Sequence, residues 1–84
     1  MNEGYWYQFD TFMVIARKHG LDFYYTYDKL IDLYCCRFRD GNKYVECRIH
    51  RPMVQGWHGL TRNELIDHVI EPIINNVKRE LSKL

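Results

Sequence analysis

Eighty-four residues suffice for one domain and leave no room for a second core. A hydrophobic fraction of 46% and an aromatic fraction of 15% argue against disorder. The formal net charge of +1, from twelve basic and eleven acidic side chains, supplies no whole-chain attraction to nucleic acid or to an anionic membrane.

The segment Met1–Tyr5 has no basic stretch followed by an apolar run, so no signal peptide is expected. No apolar run approaches bilayer-spanning length, and no membrane association is expected. Cys35, Cys36 and Cys47 are an odd number of cysteines with two adjacent, a poor disulfide framework that suits free thiols in a reducing cytoplasm. Seven Tyr and two Trp are a heavy aromatic load for so short a chain, and such side chains suit half-exposed surfaces.

The first element is a helix over Gln8 to His19. Phe9, Phe12, Met13 and Ala16 recur at helical spacing and share one face. Arg17, Lys18 and His19 suit the negative end of the helix dipole, and Gly20 suits a left-handed cap with Leu21 packing back. Asp22 to Tyr27, aromatic and β-branched, reads as a strand. Asp28 to Asp32 fits either a turn or the start of the next strand.

Leu33–Arg39 and Lys43–His50 flank Asp40-Gly41-Asn42, a hairpin signal that places Gly41 and Asn42 where positive φ is needed. A Gly41-Asn42 loop sets Phe38 opposite Val45, Cys36 opposite Cys47, Tyr34 opposite Ile49 and Arg37 opposite Glu46. A one-residue slip would set Phe38 against Lys43 and scramble the faces, so the first register is preferred. It gives a core face of Tyr34, Cys36, Phe38, Val45, Cys47 and Ile49. The opposite face then carries Cys35, Arg37, Arg39, Tyr44, Glu46, Arg48 and His50.

Arg51-Pro52 ends the strand, and Pro52 to Gly59 reads as a loop holding Trp57 and His58. Thr61-Arg62-Asn63-Glu64 is a capping box that opens a helix reaching about Leu81. Its apolar stripe is broad: Leu65, Ile66, Val69, Ile70, Ile73, Ile74, Val77 and Leu81. Pro72 should kink this helix, or divide it at Glu71-Pro72. The order helix, strand, β-hairpin, long kinked helix predicts a small two-layer α+β domain over residues 1–84, an antiparallel sheet with helices on one face.

This layout, with its Asp-Gly-Asn-Lys hairpin at 40 to 43, its His50-Arg51-Pro52 exit and its capped final helix, resembles small proteins encoded by bacteriophages and prophages. The resemblance rests on size and element order. It implies a bacterial cytosol and action on a host protein, and it carries over no active-site residues.

No residue pattern demands catalysis. Cys36, Cys47 and His50, with Cys35 beside them, are the nearest approach to a zinc set, but paired knuckles are missing and the register puts His50 on the other face. These cysteines read as small core hydrophobes, with no metal and no cofactor. Cys35 is the better nucleophile candidate, near Arg37 and Arg48, but a two-stranded ribbon offers no pocket for an oxyanion. His19, His58 and His68 read as solvated, with no partner. The carboxylates read as caps, turn residues and ion-pair partners, and Gly56-Trp57-His58-Gly59 lacks the context of a phosphate loop.

Two surfaces stand out. Arg37, Arg39, Arg48 and His50 gather around Tyr44, a pattern able to hold phosphates and stack bases, although near-neutral total charge favours a plain solvated face. Aromatic residues Tyr5, Trp6, Tyr7, Tyr24 and Trp57 offer protein contacts, against the alternative that Trp6 and Trp57 close the ends of the core. Open sheet edges also allow a homodimer. The sequence therefore leads to a non-enzymatic protein-binding module, with a nucleic-acid binder using the arginine face as the alternative.

Overall fold

The computed structural model describes residues 6–84, so Tyr5 lies outside the described residues. Helix α1 spans Gln8–Lys18 and buries Gln8, Phe9, Phe12, Ile15 and Ala16 on one face, with Met13 half-buried beside them. It ends as expected. Gly20 adopts φ 77°, its N–H donates to Arg17 O at 3.0 Å, and the Leu21 N–H donates to Ala16 O at 2.9 Å. That pair of bonds is the Schellman closure, and it delivers the buried Leu21 straight into the sheet.

Strands β1 (Asp22–Asp28), β2 (Leu33–Asp40) and β3 (Lys43–His50) form an antiparallel sheet in the order β1-β2-β3. The hairpin register is the expected one, from Asp40 opposite Lys43 to Tyr34 opposite Ile49. The turn chemistry differs in one respect. Gly41 has φ 62°, whereas Asn42 is not in the positive-φ region, so glycine alone supplies the reversed dihedral, as in a type II′ turn.

Lys29–Asp32 is a turn, not a strand start. Asp28 accepts the Leu30 N–H at 3.0 Å, and Asp32 takes the left-handed conformation at φ 53°. An Asp side chain can bond its own backbone two residues on, which makes such turns without glycine.

The segment expected to be a loop after β3 is instead helical. Helix α2 (Arg51–Gly56) carries Pro52 in its first turn, and a 3₁₀ turn follows over Trp57–Gly59. Proline stops a strand, but in the first turn of a helix, where the N–H has no intrahelical partner, its missing N–H costs nothing. The short helix buries Val54 at 0% exposure and leads Trp57 into the core at 7%.

Thr61 then opens α3 (Arg62–Leu65) with both bonds of the capping box, Glu64 N–H to Thr61 Oγ1 at 3.2 Å and Thr61 N–H to Glu64 Oε1 at 2.9 Å. Residues Ile66–Ile70 form a π turn that runs into α4 (Glu71–Ser82), with Pro72 again in a first turn. The chain accommodates Pro72 by this widened turn. Buried Leu65 and Ile70 stand five residues apart across it, followed by Ile74, Val77 and Leu81 at ordinary helical spacing.

All helices pack on the face of the sheet that carries Phe23, Tyr34, Cys36, Phe38 and Ile49, making a two-layer α+β domain. Phe12 stacks on Phe23 with centroids 5.5 Å apart and lies 5.7 Å from Trp57. The core is thus a continuous aromatic cluster between α1 and the sheet.

Candidate functional site

The opposite face of the sheet is left open over most of its length, with Leu33 buried at one end. Strand alternation and the two registers arrange it as a grid. Asp22, Arg39 and Tyr44 form the first row, and Tyr24, Arg37 and Glu46 the second. Thr26, Cys35 and Arg48 form the third, and Asp28, Leu33 and His50 the fourth. Arg37, Arg39, Tyr44, Arg48 and His50 therefore share this face, as the hairpin alone implied. Pairing of β1 adds Asp22, Tyr24, Thr26 and Asp28, which sequence reasoning had not placed there.

That addition changes the electrostatics. The grid carries Arg37, Arg39 and Arg48 against Asp22, Asp28 and Glu46, so its formal charges balance before His50 is counted. Arg37 donates from Nη2 to Glu46 at 2.9 Å, and its guanidinium carbon lies 4.4 Å from the Tyr44 ring centroid. The bond to Glu46 pushes the Arg37 pKa still higher, so this cation is fixed. Arg39 donates from Nε to Gly41 O at 2.8 Å, which pins it over the hairpin turn.

Tyr24 is 54% exposed and Tyr44 51%, one on each outer strand, flanking the central arginines. A shallow concavity of about 500 Å³ opens on this face between Tyr24, Thr26, Cys35, Arg37, Arg39 and Tyr44. At the end of the sheet where Asp32 meets Arg51, Leu30 and Ile31 stand exposed, as does Met53 on α2.

The two tryptophans do not join this surface. Trp57 is a core residue packed on Phe12 and Phe9. Trp6 is half-buried in the helical layer, with its ring 4.8 Å from that of His58, while Tyr7 is exposed. Sequence reasoning took a tryptophan between two glycines for a loop residue, because the short helix that buries it follows a proline.

The thiols divide by face. Cys36 is fully buried, and burial, reinforced by the neighbouring cysteines, pushes its thiol up to about 12. Burial also raises Cys47. Cys35 is half-buried on the open face between Thr26 and Arg48. Among the described residues, no group of three or more His, Cys, Asp or Glu side chains is placed to hold a metal ion.

Histidine 19 is partnered, contrary to expectation. Its Nε2 lies 3.2 Å from both Glu71 carboxylate oxygens and its Nδ1 3.4 Å from Lys78 Nζ. A proton on Nε2 satisfies both contacts, so this histidine ties the end of α1 to α4. The contact joins residues 52 apart and leaves no local signature.

No helix among the described residues is long and apolar enough to cross a membrane. The fold and the open face define a small α+β domain with an uncovered, mixed-charge, tyrosine-bearing sheet. No family model, curated protein or solved structure matches the chain.

Proposed function

We propose that this protein is a non-enzymatic protein-binding module whose contact surface is the open sheet face. The observation that carries the reading is the pair of exposed tyrosines, Tyr24 and Tyr44, flanking arginines on a face that the helices leave bare. Tyrosine and arginine dominate the energetics of protein interfaces, and the rest of such a surface mainly excludes water. Balanced charge favours a protein partner that presents both signs over a polyanion, which Asp22, Asp28 and Glu46 would repel.

Nucleic acid is the second reading, since tyrosines on an open antiparallel sheet can stack unpaired bases. It draws on the same residues and must overcome the same carboxylates.

Charge disfavours one edge-to-edge homodimer, that of β1 paired about Tyr25. Pairing β1 with a second copy about Tyr25 would set Asp22 opposite Asp28 of the copy at both ends. The resemblance to phage-encoded proteins supports a cytoplasmic setting and a bacterial host protein as the partner.

The test compares tagged wild-type protein with a Tyr24→Ala/Tyr44→Ala variant in pull-downs from bacterial lysate, with and without nuclease. The reading expects one stoichiometric protein that survives nuclease and is lost with the variant; two interface tyrosines account for about 2 kcal/mol or more each. Recovery of nucleic acid that disappears at higher salt would overturn it in favour of the second reading. Equal recovery by both proteins would remove the sheet face from consideration.

A further inference from the structure

Strand β1 lies at one edge of the sheet and pairs with β2 along its whole length, Asp22 to Asp28. The two-residue turn makes Asp40 and Lys43 a hydrogen-bonded pair, and strict alternation then decides which way every backbone group of the sheet points. Asp22, Tyr24, Thr26 and Asp28 turn their N–H and C=O groups toward β2. Phe23 and Tyr25 turn theirs outward. Among the described residues, no backbone group from a turn, loop or helix bonds to either of them, so this stretch of the edge is open.

Natural edge strands are blunted against further pairing by Lys, Pro or a bulge. Strand β1, Asp-Phe-Tyr-Tyr-Thr-Tyr-Asp, has none of these, and its register is unbroken. It carries instead an exposed carboxylate at each end, both on the open face. Neither Asp22 nor Asp28 enters an ion pair among the described residues.

The inner side of this edge is incompletely covered. Phe23 is buried, whereas Tyr25 and Tyr27 are only half-buried. Burial pushes the Tyr25 hydroxyl up, and the Asp10 carboxylate of α1 adds to the effect, so the Asp10 side of α1 lies near Tyr25. Met13 and Val14 stand one turn further along that side, the first half-buried and the second 44% exposed. Open backbone groups beside an apolar strip suit an incoming strand, which bonds through its main chain and packs alternate side chains.

We propose that the β1 edge takes up an extended segment of a protein partner, antiparallel to β1, with basic residues six positions apart. In that register the basic residues lie opposite Asp22 and Asp28 on the open face. The residues opposite Phe23, Tyr25 and Tyr27 point inward and are apolar. This rests on the protein-binding reading and names the kind of segment bound, which widens the open face beside Tyr24. The β1 strand of a second copy brings carboxylates to the same positions and is disfavoured.

The probe is the end-capped peptide Arg-Val-Thr-Val-Thr-Val-Arg, titrated into ¹⁵N-labelled protein. Saturable shifts are expected at the Phe23 and Tyr25 amides, with hydrogen exchange slowed at least roughly tenfold at saturation. The same peptide with Glu at both ends should bind at least about tenfold more weakly, because two attractive cross-strand pairs become repulsive. Asp22→Lys should narrow that preference. N-methylation of the central valine, which removes the N–H facing Tyr25 and leaves the charge unchanged, should abolish binding. No saturable shift at millimolar peptide, or equal binding of the N-methylated peptide, would overturn the proposal whether or not Asp22→Lys folds. Either result would leave the open-face reading to the tyrosine double variant. Protection of Phe23 and Tyr25 that rises with protein concentration alone would overturn it in favour of a second copy, docked through its β3 edge.

Discussion

Asp32 accepts at Oδ1 from Arg51 Nε at 2.7 Å, and so joins the turn after β1 to the first residue of α2. The same oxygen accepts from the Tyr27 hydroxyl at 2.6 Å, and the Arg51 N–H donates to Asp32 O at 3.2 Å. These contacts hold a non-glycine residue in the left-handed region, a conformation that needs such support. One aspartate therefore fixes both the β1–β2 connection and the exit from β3.

The Arg51 and Tyr27 bonds lower the Asp32 pKa from its ordinary value of 3.8. A carboxyl depressed in the folded state stabilises the fold above its unfolded value, and that contribution is lost as pH falls through the folded value. Asp32→Asn keeps a side chain that tolerates the left-handed backbone and removes the charge. Its urea midpoint should lie below wild type at neutral pH, and the gap should close as pH drops below 3.8. A gap that persists unchanged in acid would show that the charge is not what matters.

The π turn makes an unusual prediction about length. Leu65 and Ile70 are both buried although five residues separate them, because the widened turn returns Ile70 to the same face. Deleting exposed Asp67 would leave these two at i and i+4, the ordinary α-helical spacing for one face. The deletion should therefore give a folded protein with a cooperative thermal transition. Loss of near-ultraviolet circular dichroism in this variant would show that the π turn itself is required.

Phe12 sits at the centre of the aromatic cluster, fully buried against Phe23, Phe38 and Trp57. Phe12→Ala should cost about 3–5 kcal/mol through lost burial and the cavity it leaves. Small domains have a total stability of roughly 5–15 kcal/mol, so denaturant unfolding should shift to much lower urea. A loss below about 1 kcal/mol would mean that the cluster repacks freely.

Thiol chemistry should follow burial. With its thiol pushed up to about 12, Cys36 carries almost no thiolate near neutral pH and should resist iodoacetamide until the protein is unfolded in urea. Peptide mass spectrometry distinguishes it from half-buried Cys35. The sign of the linkage is the reverse of that for Asp32. Cys36 stabilises the fold below the ordinary thiol value of 9.0, and the contribution falls as pH rises toward the folded value. Native-state labelling of Cys36 at the rate seen in urea would contradict its burial.

The sequence by itself determined the features whose causes are local. Gly20 closing α1, the capping box at Thr61 and the β2–β3 register each depend on residues a few positions apart. In the hairpin, the two-residue side-chain period and the glycine turn left one pairing that buried Phe38, Cys36 and Tyr34 together. Only the tertiary structure decided the rest. The charge of the open face depends on how β1 pairs with β2, and its Asp22 and Asp28 turned an arginine-rich surface into a balanced one. The fate of Trp57 depended on whether Pro52 ended an element or began one, which packing of Val54 and Trp57 settles. The His19–Glu71 contact arises where distant segments meet. Local propensities can be summed along a chain, but such contacts form only once the aromatic core has fixed the helices against the sheet.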